Sequence, residues 1–259
     1  MQPIGVFDSG VGGLTVVAAL RRRLPGETVL YLGDTARLPY GTKSPATVAR
    51  YTQRNVDLLL ERGVKAVVVA CNTASALALP ALRSPVPVWG VIEPGAARAA
   101  AVSAGRVGVI ATESTIRSDA YGKALRRRRA DLLVVGQSCP LFVPLVEEGW
   151  LEDPVTHLVA ERYLAPLSER GIDTLVLGCT HYPLLAPVLA RLVGAEVTLV
   201  DSGEAVAAEL AGELAARGLL ASARCGEDHF LVTDAAERFG RLAERILGRA
   251  VSLELVELV

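Results

Sequence analysis

"KAVVVACNTAS" at residues 65–75 and "DTLVLGCTHYP" at residues 173–183 have the same form. Each is a run of mostly branched apolar residues that stops at a cysteine, and small polar residues follow. Unbroken apolar runs of this length, as opposed to alternating ones, mark strands covered on both faces in a parallel sheet. Cys71 and Cys179 therefore each stand just past a buried strand, 108 positions apart.

Similar runs occur at 4–7, 29–32, 88–91, 107–110, 132–135 and 197–200, with helical stretches such as 46–62 and 153–170 between them. Strand–helix alternation predicts an α/β fold of parallel sheets with helices outside. In open parallel sheets, ligands bind beyond the carboxyl ends of the strands. The segments at those ends are "DSGVGG" (8–13), "GDTARLPYG" (33–41), "CNTAS" (71–75), "EPGA" (93–96), "ATEST" (111–115), "GQSCP" (136–140), "GCTHYP" (178–183) and "DSGEA" (201–205). Such residues serve loops and helix caps anywhere. So many of them, around two cysteines, predict a lined site.

The chain also resembles itself. "IGVFDSGVGGLTV" (4–16) is similar to "VGVIATESTIRSD" (107–119), which sets Asp8-Ser9 against Ala111-Thr112. Each half then carries its cysteine some 60 to 70 residues further on. Two similar α/β domains related by a pseudo-twofold would bring the thiols face to face across a cleft. The division expected is residues 1–95 plus 207–259 for the Cys71 side and 96–206 for the Cys179 side. Its boundary lies near the Pro/Gly/Ala-rich stretch 94–105. The tail after about residue 206 reads as helices and a final strand in "AVSLELVEL" (250–258), returning to the first domain.

Composition narrows the function. The 27 basic and 28 acidic side chains leave a net charge of -1, which gives no electrostatic ground for nucleic acid or a membrane surface. Arg126–Arg129 read as a solvated helix end. No uncharged apolar run is long enough to span a membrane, and no export signal precedes the first strand, so the expected compartment is the cytoplasm. There Cys71, Cys139, Cys179 and Cys225 are thiols. No CxxC pair occurs and His157, His181 and His229 are scattered, so no metal site is expected. Cys139 and Cys225 read as core residues.

Cys71 and Cys179 call for more than packing, because both fall at matching repeat positions before helix-capping residues. A helix N-terminus favours thiolate over thiol. Two such groups on opposite faces of one carbon can invert it: one removes a proton and the other delivers one. This suits a racemase or epimerase that needs no cofactor. "DSGVGG" lacks the spacing of a dinucleotide fingerprint, no phosphate loop occurs, and none of the three lysines sits in a loop suggesting a Schiff base. The rival from another class is a two-lobed binding protein for a small anion, which has no use for paired thiols.

At these residues the chain resembles the aspartate/glutamate racemase superfamily, and within it the glutamate racemases. "GVFDSGVGGLTV", "YLGDTARLPYG", "ACNTAS", "VIEPGA", "CPLFVPLVEEG", "GCTHYPLL" and "LVDSGEAVA" carry the likeness, in order, from residue 4 to about 207. The resemblance implies cofactor-independent interconversion of L- and D-glutamate, supplying D-glutamate for peptidoglycan. It makes Cys71 the base for the D-enantiomer and Cys179 for the L-enantiomer, with Asp8, Glu147 and His181 assisting. Asp8, Ser9, Tyr40, Gly41, Asn72, Thr73, Thr180 and His181 would line the substrate site. Read from chemistry, Ser9, Asn72, Thr73, Thr115 and Thr180 can hold the carboxylates, and Asp8 can accept from the ammonium. Plainer roles are helix capping for Asp8 and Ser9, core packing for Tyr40, a structural hydrogen bond for His181 and a solvated carboxylate for Glu147. Aspartate and hydantoin racemases are the nearest alternatives. The expected partner is glutamate, and a homodimer is expected from the family.

Overall fold

Why the cysteine-ended runs are strands is plain from their burial. Residues 66–69 (AVVV) are fully buried, as are nearly all of 174–178 (TLVLG). Each fully buried valine or leucine contributes about 1.5–3 kcal/mol relative to an exposed one. In the computed structural model, which describes residues 2–224 and 226–258, all eight expected strand runs form strands. Cys225, expected in the core, lies outside the described residues.

The first sheet contains β1 (Ile4–Asp8), β2 (Val29–Gly33), β3 (Ala66–Val69) and β4 (Val88–Gly90), connected by helices α1 (Leu14–Arg23), α2 (Pro45–Glu61) and α3 (Asn72–Leu77). Helix α4 (Ile92–Val102) leads out of it. The second sheet contains β5 (Arg106–Ala111), β6 (Leu133–Ser138), β7 (Thr174–Gly178) and β8 (Thr198–Asp201). Its helices are α5 (Glu113–Ser118), α6 (Ala120–Arg128), α7 (Phe142–Glu148), α8 (Pro154–Ser168) and α9 (Ala186–Val193). Helix α10 (Ser202–Ala216) returns the chain to the first sheet, which β9 (His229–Val232), α11 (Ala236–Leu247) and β10 (Leu253–Leu255) complete.

Every pairing is parallel. The orders are β10-β9-β2-β1-β3-β4 and β6-β5-β7-β8. The segment β2-β1-β3-β4 has the same order as β6-β5-β7-β8, element for element. In each sheet the direction of winding reverses between the first strand of the repeat and the third: β1 beside β3, β5 beside β7. That reversal opens a crevice at the carboxyl ends. Cys71 and Cys179 follow β3 and β7, and Asp8 and Thr112 stand at the ends of β1 and β5.

One expectation needs correction. The tail holds the strand β9, which the sequence reading missed. Its four residues, HFLV, are too short a run to stand out between Asp228 and Thr233. Positions 95/96 and 206/207 lie within α4 and α10, so both crossings between the sheets are helical, and the two helices pack together. Pro94 sits in the first turn of α4, where a missing N–H breaks no intrahelical bond, and the alanines after it favour helix. Arg126, Arg127 and Arg128 form the last turn of α6 and pair with Asp119 and Glu93. Among the described residues no helix is long and apolar enough to cross a membrane.

Candidate active site

Cys71 and Cys179 line one cavity of about 230 Å³. Ser9, Tyr40, Gly41, Asn72, Thr73, Glu147, Thr180 and His181 share its wall, with Leu38, Pro39, Thr112, Val143 and Pro144. The volume is below the ~300 Å³ at which drug-sized ligand pockets begin, and suits an amino acid. A larger cavity of about 580 Å³ lies elsewhere, by Ser75, Trp89, Glu93 and Arg127, and holds neither thiol. Volume alone would misplace the site.

The surroundings of the two sulfurs differ. Cys71 is the N-cap residue of α3 and makes no side-chain cap bond; its Sγ donates to Ser9 Oγ at 3.5 Å. Burial, with the neighbouring Asp8 carboxylate, pushes its thiol up to about 12, although Ser9 and the Ala74 N–H pull it down. The expectation that the helix start leaves a ready thiolate at Cys71 does not hold in the folded chain. Desolvation of a buried charge outweighs the few exposed N–H groups of a six-residue helix.

Cys179 has a basic neighbour instead. Its Sγ is 3.8 Å from His181 Nδ1, and His181 Nε2 is 3.2 Å from Glu147 Oε1. Arg238, on α11, reaches Glu147 Oε2 at 3.2 Å and Glu148 at 3.5 Å. Burial would discharge His181, but its hydrogen bonds to Cys179 and Glu147 and the nearby Asp8 raise it to about 10. Glu147 is held below the usual carboxylate range by its bond to His181, against the effect of burial, with Arg238 assisting. A row of side chains thus runs from sulfur to surface: Cys179, His181, Glu147, Arg238.

Asp8, expected in the lining, lies instead behind the cavity wall and is fully buried, because it ends the central strand β1 beneath the Ser9–Gly13 loop. Its Oδ2 accepts from the Gly10 N–H at 3.0 Å and its Oδ1 from the Thr180 hydroxyl at 3.4 Å. Burial raises its pKa, while the His181 charge and the N–H groups of Gly10, Gly13 and Ser9 oppose this. Asp8 therefore joins the two halves electrostatically, through Thr180 and His181. The close approach requires glycine at position 12, where an added Cβ would collide with Thr180 Oγ1 and His181 Nδ1.

Thr115 is likewise set back from the cavity. Its hydroxyl is 3.0 Å from Thr112 Oγ1, which is 2.9 Å from Thr73 Oγ1. Thr112 accepts the Thr115 N–H as the cap of α5 and faces the cavity, so Thr112 stands where Thr115 was expected. The repeat held a signal for it: Thr112 aligns with Ser9. Tyr40 packs in the wall with its hydroxyl donated to Asp34 at 2.5 Å, and Gly41 accepts from Ser114 at 2.6 Å, tying its loop to the second half. Arg238 was also missed, because a lone arginine on an amphipathic helix looks like any solvated charge. Cys139 is a buried core thiol, as expected.

Nearly all the expected residues thus converge, either on one cavity that reaches both thiols or immediately behind its wall. The family model Asp/Glu/Hydantoin racemase matches residues 14–210. A glutamate racemase of Geobacter metallireducens is 55% identical over 251 residues, covering 95% of this chain and 93% of the relative. The crystal structure of a glutamate racemase isoform from Bacillus anthracis superposes with a TM-score of 0.96 at 41% identity, over 99% of this chain and 98% of that one. A Francisella tularensis glutamate racemase, solved in complex with D-glutamate, gives 0.93 at 38% identity, over 99% and 98%. The chain belongs to the Asp/Glu/hydantoin racemase family and is an amino-acid racemase of the glutamate racemase branch.

Proposed function

We propose that the chain interconverts L- and D-glutamate by two-base proton transfer between Cys179 and Cys71, without a cofactor. The observation that carries the reading is that both strand-end thiols line one amino-acid-sized cavity. In the L-to-D direction, Cys179 as thiolate takes the α-proton; the C–H bond breaks and its electron pair moves into the carboxylate. The Cys71 thiol delivers its proton to the opposite face and is left as thiolate. The D-to-L direction begins from that state and reverses each step.

The unequal surroundings support this assignment at rest. Cys71, pushed up by burial and Asp8, is the proton donor. His181, protonated up to about pH 10, is the counter-ion that a thiolate at Cys179 needs. The developing dianion is the costly species, since each factor of ten in rate requires about 1.4 kcal/mol. Thr73, Thr112 and Thr180, fixed donors around the cavity, are placed to stabilise it. Asp8, one layer back, supports Thr180 and the Ser9–Gly13 loop and attracts the ammonium.

By the same reading the product D-glutamate serves peptidoglycan synthesis in the cytoplasm, the protein acts as a homodimer, and residues 1–95 plus 207–259 and 96–206 are the two domains. The test is circular dichroism of L-glutamate with the purified protein under reducing conditions and no added cofactor, with L-aspartate in parallel. Decay of the glutamate signal to zero is expected, with aspartate unchanged. A constant glutamate signal would refute the reading, and turnover of aspartate alone would move the chain to another branch of its family.

A further inference from the structure

Asn72 is 2% exposed and lines the cavity beside Cys71. Its Oδ1 accepts a hydrogen bond of 2.7 Å from the phenol of Tyr121, while its Nδ2, equally buried, has no partner. A buried amide N–H without an acceptor is costly, and native proteins seldom keep one without a use. Tyr121 is itself buried, near the start of α6, and so belongs to the half that carries Cys179. Its ring packs by Gly95 and Gly178, where a side chain on either glycine would press against it.

An asparagine amide can be turned either way. With Oδ1 toward the cavity it would oppose a carboxylate; with Nδ2 toward the cavity it would bind one. We propose that Tyr121 is a positioning residue for the racemisation: its hydroxyl holds the Asn72 amide so that Nδ2 is presented to a substrate carboxylate. The inference rests on the glutamate reading of the cavity. Burial raises the Tyr121 phenol above its ordinary value, against the hydrogen bond of Ser202, so it stays a donor at working pH. The contact crosses between the halves. The orientation of a binding group beside one thiol is therefore set by the half that holds the other, and only when the halves are together.

Carboxylate binding by Asn72 is the same before and during proton transfer, so its loss should raise KM and leave kcat nearly unchanged. Tyr121→Phe keeps the ring and removes the bond. KM for both glutamate enantiomers should rise about tenfold, the equivalent of one well-placed hydrogen bond. Asn72→Ala should raise KM at least as much, and adding Tyr121→Phe to it should change KM no further. Tyr121→Met serves if the Phe variant does not fold. An unchanged KM in Tyr121→Phe, a fall in kcat and melting temperature without a KM change, or an effect additive with Asn72→Ala would overturn the proposal. An unchanged KM in Asn72→Ala would instead refute the role given to Asn72 itself.

Discussion

The two thiols of this racemase stand at equivalent positions of a repeated fold, yet their neighbours carry opposite charge. Beside Cys71 are Ser9 and the Asp8 carboxylate; beside Cys179 are an imidazolium and, behind it, Glu147 and Arg238. The repeat explains where the sulfurs are, and the departures from it make their surroundings unequal. On the two-base proposal, a symmetric pair would have no preference as to which sulfur holds the proton. Asp8 beside one sulfur and His181 beside the other break that symmetry.

The largest effect should come from removing either sulfur. Cys71→Ala and Cys179→Ala should each lower kcat about 10⁴-fold in both directions, since each direction needs one base and one acid. Retention of substantial turnover by either variant would break the pairing. Gly12→Ala should come next. The added methyl displaces Thr180 and His181 together, and a shift of roughly 1 Å is expected to lower kcat/KM about 10²-fold, or somewhat more, with the fold retained by circular dichroism.

His181→Asn sharpens the comparison, because it removes the cation from one side only. A loss of about 30-fold to 10²-fold in kcat is expected, greater in the L-to-D direction, while kcat/KM falls equally in both because the enantiomers are of equal energy. The pH dependence follows from the same group. His181 is raised from 6.5 to about 10 in the folded chain, so its stabilising contribution is complete below about 6.5 and lost as pH rises through about 10. Glu147 has the opposite sign: its carboxylate is depressed, so its contribution is present above the ordinary range and lost as pH falls through the lowered value. Activity should decline on the alkaline side near pH 10, and that limb should vanish in His181→Asn. The smallest effect belongs to Arg238→Ala. A half-exposed ion pair is worth about 1 kcal/mol or less, so a three- to fivefold loss of kcat is expected, shrinking as salt is added.

The sequence made the sheets legible because their strands are buried on both faces, which leaves runs such as AVVV that no exposed segment would carry. It also made the thiols legible, since each ends such a run. β9 was not legible: a four-residue strand draws its stability from pairing with β2 and β10, not from its own pattern. The layer behind the cavity was hidden for a similar reason. Whether Thr112 or Thr115 faces the site depends on which of the two caps α5, and both lie in the same "ATEST" stretch. Burial of Cys71 reversed the expected direction of its pKa because local position reveals the helix start but not the packed shell around it. Arg238 meets Glu147 across 91 positions of sequence, a contact that only the folded chain defines.

The central claim is that two sulfurs act on opposite faces of one carbon, and labelling in deuterated water tests it most directly. Starting from unlabelled L-glutamate, the D-glutamate formed in the first few per cent of turnover should carry deuterium at the α-carbon while the remaining L-glutamate stays protiated, and the mirror experiment from D-glutamate should behave alike. Equal early labelling of substrate and product would mean that a single group serves both faces, and would contradict the account.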